Sequence, residues 1–166
     1  MAKFKIRIYG DEVLRKKTKF VKTFDKKLQQ LIDDMFKAMH ESGGIGLAAP
    51  QVGILKKIIV VDTGEEGECH AFVNPKIVWR SDEECLMKEG CLSIPGVEGE
   101  VVRSDRIKVK ADDPATGEEF TFEADGLLAR VIQHEMDHLN GVLFVDLLQD
   151  AERSLLDRKL QELAAA

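Results

Sequence analysis

Apolar residues recur at three- and four-residue steps in three stretches of the chain and gather into short runs between them. From Asp25, Leu28, Leu31, Ile32, Met35, Phe36 and Met39 follow the helical period, with Asp25 or Thr23 as cap and Ser42-Gly43-Gly44 as stop. The second stretch starts at Asp125-Gly126, carries Leu127, Leu128, Val131 and Ile132, and stops at Asn140-Gly141. A third helix is expected from Asp150 to about Leu163, with Leu155, Leu156, Leu160 and Leu163 toward the core. Between the first two helices lie β-rich runs at 58–61, 71–73, 76–79, 100–102, 107–110 and 119–122. Pro114 to Gly117 reads as a hairpin connection, and residues 6–21 as irregular. The acidic tracts 65–68 and 81–84 read as solvated loops. Residues 44–51 are too small and glycine-rich for a helix interior or a central strand. The order of elements predicts a single α+β domain over residues 1–166. Antiparallel sheets would pack around a central helix, with one helix in the N-terminal half and another at the C-terminus.

Composition narrows the function classes. Hydrophobic residues at 44% and charged residues at 33% fit an ordinary globular chain with a real core. A net charge of -6 gives no reason to expect DNA or an anionic membrane as partner. The first nine residues are basic but lack a long apolar run, so neither an export signal nor a bilayer span is expected. Cys69, Cys85 and Cys91 have no framework spacing; free thiols or a thiolate ligand in a reducing cytoplasm are expected.

Chemistry enters with His134-Glu135-Met136-Asp137-His138. Residues four apart share a helix face, so both imidazoles can reach one metal ion. Glu135 stands about 100° further round, where a general base belongs. The bland alternative is a helix whose histidines merely sit near acids. A catalytic metal usually takes three protein ligands. The longer motif that would supply a third histidine has Phe144 there, which cannot coordinate. Asp146 and Glu152 lie downstream, and Cys91 lies upstream in the glycine-flanked Glu89-Gly-Cys-Leu-Ser-Ile-Pro95; spacing does not choose among them. Gly44 and Gly46 leave backbone groups uncovered for an extended peptide. Gln51 offers an amide donor, or else a solvent-facing glutamine on a plain turn. Leu127 and Val131 share the histidines' face and, with Ile45 nearby, suggest an apolar pocket or simple core packing.

Residues 44–51 (Gly-Ile-Gly-Leu-Ala-Ala-Pro-Gln), 89–93 (Glu-Gly-Cys-Leu-Ser) and 133–141 (Gln-His-Glu-Met-Asp-His-Leu-Asn-Gly) together resemble the three signature motifs of peptide deformylases, in that family's order. The resemblance covers nearly the whole chain and extends to Gly10-Asp-Glu-Val-Leu-Arg15. It implies removal of the formyl group from N-formylmethionine of new polypeptides, on nascent chains and with transient ribosome association. It implies Cys91, His134 and His138 as ligands of Fe2+, with Zn2+, Ni2+ or Co2+ as occupants in purified protein. It implies Glu135 as acid/base, and Gln51 with the Leu92 N–H as oxyanion donors. A monomer is expected. The rivals are a general zinc metallopeptidase using Asp146 or Glu152, and a closed structural metal site completed by Cys69 or Cys85. The last helix balances Arg153, Arg158 and Lys159 against Asp150, Glu152, Asp157 and Glu162, so it offers no basic patch for rRNA.

Overall fold

A computed structural model of the chain describes residues 4–166; Met1 to Lys3, the start of the basic N-terminal stretch, lie outside the described residues. The first helix, α1 (Lys26–Glu41), begins where Asp25 accepts a hydrogen bond from the Leu28 N–H at 3.0 Å, which settles the cap in favour of Asp25. After it come β1 (Gly46–Ala48), a 3-10 turn (Ala49–Val52), β2 (Ile58–Asp62) and β3 (Cys69–Arg80). The chain continues through β4 (Glu84–Cys91), β5 (Ile94–Ser104), β6 (Arg106–Asp112) and β7 (Glu119–Asp125). It ends with α2 (Gly126–His138), a 3-10 turn (Phe144–Leu147) and α3 (Asp150–Ala165).

All pairings of named strands are antiparallel, in a five-stranded sheet ordered β1-β2-β3-β6-β7 and a two-stranded ribbon of β4 and β5. The α+β class follows. Alternation explains the apolar run of β2. Ile58 and Val60 face α1, joining Leu28, Ile32, Met35 and Met39, whereas Ile59 and Val61 face α2, joining Phe72, Val109, Val131 and Ile132. A third cluster packs Ile94, Val97 and Val101 of the ribbon against Leu143, Phe144, Leu148 and Leu160. Helix α2 is therefore covered on several sides: it packs on β1, β2, β6 and β7 and also touches β5.

Several readings need correction. The runs at 71–73 and 76–79 are one strand, because a bulge around Asn74 (φ 52°) carries the chain past Pro75. The Asn74 side chain holds that bend by bonding both Val21 backbone groups, at 2.8 and 2.9 Å. Strand β4 lies outside the predicted β-rich runs, and the tract 81–84 is only partly a solvated loop: Ser81 is buried and Glu84 starts β4. Residues 6–21 contain a 3-10 turn at Glu12–Arg15. In α3, Leu160 is buried but Leu155 is 84% exposed, since the helix touches the ribbon through a narrow stripe only. The 44–51 segment behaves as expected, supplying a short strand at the sheet's edge. Among the described residues no helix is long and apolar enough to cross a membrane.

The outer edge of β5 is covered. A Glu152 carboxylate oxygen accepts the Glu100 N–H at 2.6 Å, and a Cβ on Gly99 would lie 2.5 Å from a Leu148 methyl carbon. Two substitutions test this account of packing by urea denaturation. Phe72→Ala empties a fully buried site stacked on Phe120 and edge-on to Phe122 and is expected to lose about 3–5 kcal/mol. Leu155→Ala is expected to change stability by no more than about 0.5 kcal/mol.

Candidate metal centre

Cys91 ends β4, and His134 and His138 lie one turn apart near the end of α2. Their donor atoms all fall within 4.8 Å of one another, the one such group of three or more His, Cys, Asp or Glu among the described residues. Cys91 Sγ lies 3.4 Å from His138 Nε2. The alternatives are engaged elsewhere: Asp146 pairs with Arg15 at 2.5 Å, and Glu152 caps Glu100. Cys69 and Cys85 are outside the group. A thiolate and two imidazoles suit a divalent transition metal, and three protein donors leave a coordination position for solvent or substrate.

Glu135 points where helix geometry puts it. Its Oε2 is 3.9 Å from His134 Nε2 and its Oε1 is 3.9 Å from His138 Nε2. Glu135 Oε1 is buried without a hydrogen-bond partner. Burial raises this carboxyl to about 7, with the Glu89 charge adding to the rise and His134 opposing it. Burial also drives His138 well below the usual imidazole range, helped by His134. For His134 burial acts in the same direction, but the charge of Glu135 and hydrogen bonds with Cys91 and Glu89 carry it well above.

The His134 orientation comes from Glu89. Glu89 Oε1 meets His134 Nδ1 at 2.9 Å and Arg103 Nη2 at 2.9 Å; Oε2 accepts from Arg103 Nε at 2.9 Å and Arg130 Nη1 at 2.5 Å. With Nδ1 donating to the carboxylate, the Nε2 lone pair is left for a metal. Arg103 also reaches Asp137 at 2.6 Å. Glu89 and Arg103 thus form a buried pair rather than a surface one. Burial would raise Glu89, but hydrogen bonds from Arg103 and His134 outweigh it and hold the carboxyl at about 2. Sequence reasoning missed Arg130 and Asp137. The available signal was an arginine four residues before His134 on an otherwise apolar helix face.

Gln51 is buried, not solvent-facing. Its Oε1 accepts the Ala48 N–H at 2.8 Å, and its Nε2 donates to Cys91 Sγ at 3.4 Å and Ser93 Oγ at 3.2 Å. Gly44, Ile45, Gly46, Leu92, Leu127 and Val131 line a cavity of about 580 Å³ together with Cys91, His134 and Glu135. Ile45 and Leu127, 41% and 46% exposed, are its half-open apolar members. Gly46 is held close: a Cβ there would lie 2.6 Å from Glu135 Oε2 and 2.7 Å from a Val131 methyl. The predicted site residues are therefore together, with the Leu92 side chain against Gly44.

A family model described as polypeptide deformylase matches residues 3–154. The peptide deformylase of Caldicellulosiruptor bescii is 54% identical over 146 residues, covering 88% of this chain and 86% of that protein. That of Chromobacterium violaceum is 49% identical over 163 residues, covering 98% and 96%. Among solved structures, a Plasmodium falciparum peptide deformylase superposes with a TM-score of 0.92 at 39% identity, covering 97% of this chain and 95% of that one. One from Synechococcus elongatus, in complex with actinonin, gives 0.90 at 44%, covering 96% and 89%.

The Glu89 environment has a consequence in acid. Its folded carboxyl titrates near 2 rather than 4.5, so the stability it contributes is complete above 4.5 and drains away as pH falls toward 2. Urea denaturation at steps between pH 5.5 and 2.5 is expected to show a steeper loss for the natural protein than for Glu89→Gln. Parallel curves would contradict the assigned environment.

Proposed function

The chain belongs to the polypeptide deformylase family, and we propose from that premise that Cys91, His134 and His138 hold the metal on which its reaction depends. The enzyme is a metal-dependent hydrolase that removes the N-formyl group from newly made polypeptides and releases formate. The observation that carries the site assignment is an unpartnered Glu135 carboxylate oxygen beside two imidazole Nε2 atoms and a thiol, at the wall of a cavity that Cys91, His134 and Glu135 line. The donor set fits a divalent metal with an open position. Fe2+ is the proposed physiological ion, favoured by the soft thiolate, with Zn2+, Ni2+ or Co2+ as occupants of purified protein.

When bound, such an ion supplies Lewis-acid chemistry: polarisation of a carbonyl and acidification of water. The residues do the rest. Glu135, buried beside the two imidazoles, takes a proton from the attacking water as a C–O bond forms at the formyl carbon. Gln51 Nε2 and the Leu92 N–H donate to the oxyanion that develops; one such donor is commonly worth on the order of 10²-fold in rate. Glu135 then delivers its proton to the nitrogen as the C–N bond breaks, giving formate and a free amine. Ile45, Leu127 and Val131 wall the methionine side chain, and Gly44 and Gly46 offer backbone to an extended substrate. The tight fit of Gly46 against Glu135 and Val131 supports selection for a formyl carbon, which carries only hydrogen.

We further assign residues 1–166 to one catalytic unit, acting as a monomer in the cytoplasm on nascent chains, with no DNA or membrane partner. Transient ribosome association is part of this reading. It does not run through a basic α3, whose Arg153 and Arg158 are paired with Asp157 and Glu162 at 3.4 and 3.6 Å.

The deciding assay compares formyl-Met-Ala-Ser with casein: formate release without casein cleavage is expected, and casein cleavage would make this a general metallopeptidase. Glu135→Gln is expected to lose about 10²–10⁴-fold in kcat with the metal retained. Val131→Trp should raise KM chiefly; a fall confined to kcat would remove Val131 from the pocket wall.

A further inference from the structure

The metal donors are divided between two pieces of backbone that share no hydrogen-bond ladder. Cys91 belongs to the β4-β5 ribbon, whereas both histidines belong to α2, which packs mainly on the five-stranded sheet. The distance between sulfur and imidazoles therefore depends on what ties ribbon to helix. Apolar contacts set the gross position but resist sliding only weakly, because they are non-directional. Directional ties must fix it more finely.

Arg130 is the helix residue with the widest set of such ties. It lies one turn before His134 on the same face and is buried. Its Nη1 donates to Glu89 Oε2 at 2.5 Å and to the Val101 carbonyl at 3.0 Å, and its Nη2 donates to the Cys85 carbonyl at 2.6 Å. Cys85 is on β4 and Val101 on β5, so a single planar group grips both strands of the ribbon and the carboxylate that orients His134. The nearby ties are narrower. Gln133 holds only the Ser104 end of β5, through bonds at 2.9 and 3.2 Å. Arg103 works from β5 outward to Asp137.

We propose that Arg130 is a positioning residue for the metal centre: it locks the ribbon against α2 so that Cys91 stays at ligand distance from His134 and His138. This rests on the reading of those three residues as ligands. Arg130 also borders the cavity, but it needs no contact with substrate for this role. A lysine could keep the charge yet could not present the rigid fork that reaches two carbonyls and a carboxylate at once.

The test is Co2+ substitution in the full-length protein, reading the thiolate-to-cobalt absorption band and the rate of Co2+ loss to a chelator. The natural protein should show the band at one ion per chain; its absence would sink the ligand assignment itself and this inference with it. Given the band, Arg130→Met is expected to shift it and to lose Co2+ about 10- to 100-fold faster, the usual scale for partners behind metal ligands. Arg130→Lys should fall between the two. A variant that melts at lower temperature but keeps the natural band and Co2+ retention would make Arg130 merely structural and overturn the proposal. Should Arg130→Met fail to fold, the lysine variant decides: natural band and retention in Arg130→Lys refute the positioning role, and a shifted band with faster loss supports it.

Discussion

One buried carboxylate organises this protein's chemistry. Glu89 is 5% exposed at its side chain and accepts from two arginines and an imidazole, so all its strong acceptor directions are used. An unpaired ion in that setting would be prohibitive; removing one partner of a buried pair typically costs about 3–5 kcal/mol. Here Glu89 and Asp137 face Arg103 and Arg130, two anions against two cations. Two of the three apolar clusters lie on opposite faces of the five-stranded sheet and the third on the ribbon, and this polar junction sits where the ribbon meets α2. It makes the interface directional as well as sticky.

The same junction separates two carboxylates that start out alike. Glu89 is held near 2 by donors aimed at it, while Glu135, equally buried but short of donors, rises to about 7. Environments that push two acids apart divide labour between them. One stays charged and holds an imidazole; the other sits near neutrality, where giving and taking a proton are both accessible. Burial alone does not decide the outcome. The number of N–H groups pointing at each oxygen does.

What was legible in the sequence was whatever obeys one period against one apolar face. The α1 stripe and the α2 stripe with its histidines did so, the β2 run read as a strand because it is apolar on both faces, and the glycines of 44–51 excluded a helix interior or a central strand there. Strand β4 was hard to read for a physical reason: neither face is uniformly apolar, since Glu89 is buried while Leu86 and Met87 are exposed. The β3 bulge was hidden because Asn74-Pro75 looks like a stop unless the Asn74 bonds to Val21 are known. Leu155 misled because a leucine beside Leu156 sits about 100° away from it around the helix, and the groove behind α3 is narrow. As for the site, the proposed ligands Cys91, His134 and His138, together with Glu135, were carried by motif and resemblance. Arg130 and Asp137 were not, because their roles exist only once strand and helix meet.

The Glu152 cap on Glu100 has a consequence for how copies of this protein behave toward one another. A two-stranded ribbon is an invitation to strand addition, and an open row of N–H and C=O groups is how aggregates grow. On the β5 side that row is interrupted by a carboxylate bonded to the Glu100 N–H and by the Leu148 methyl groups seated against Gly99. A third strand cannot dock there without first peeling α3 away. The last helix therefore occupies the place at this edge where a further strand would have to pair.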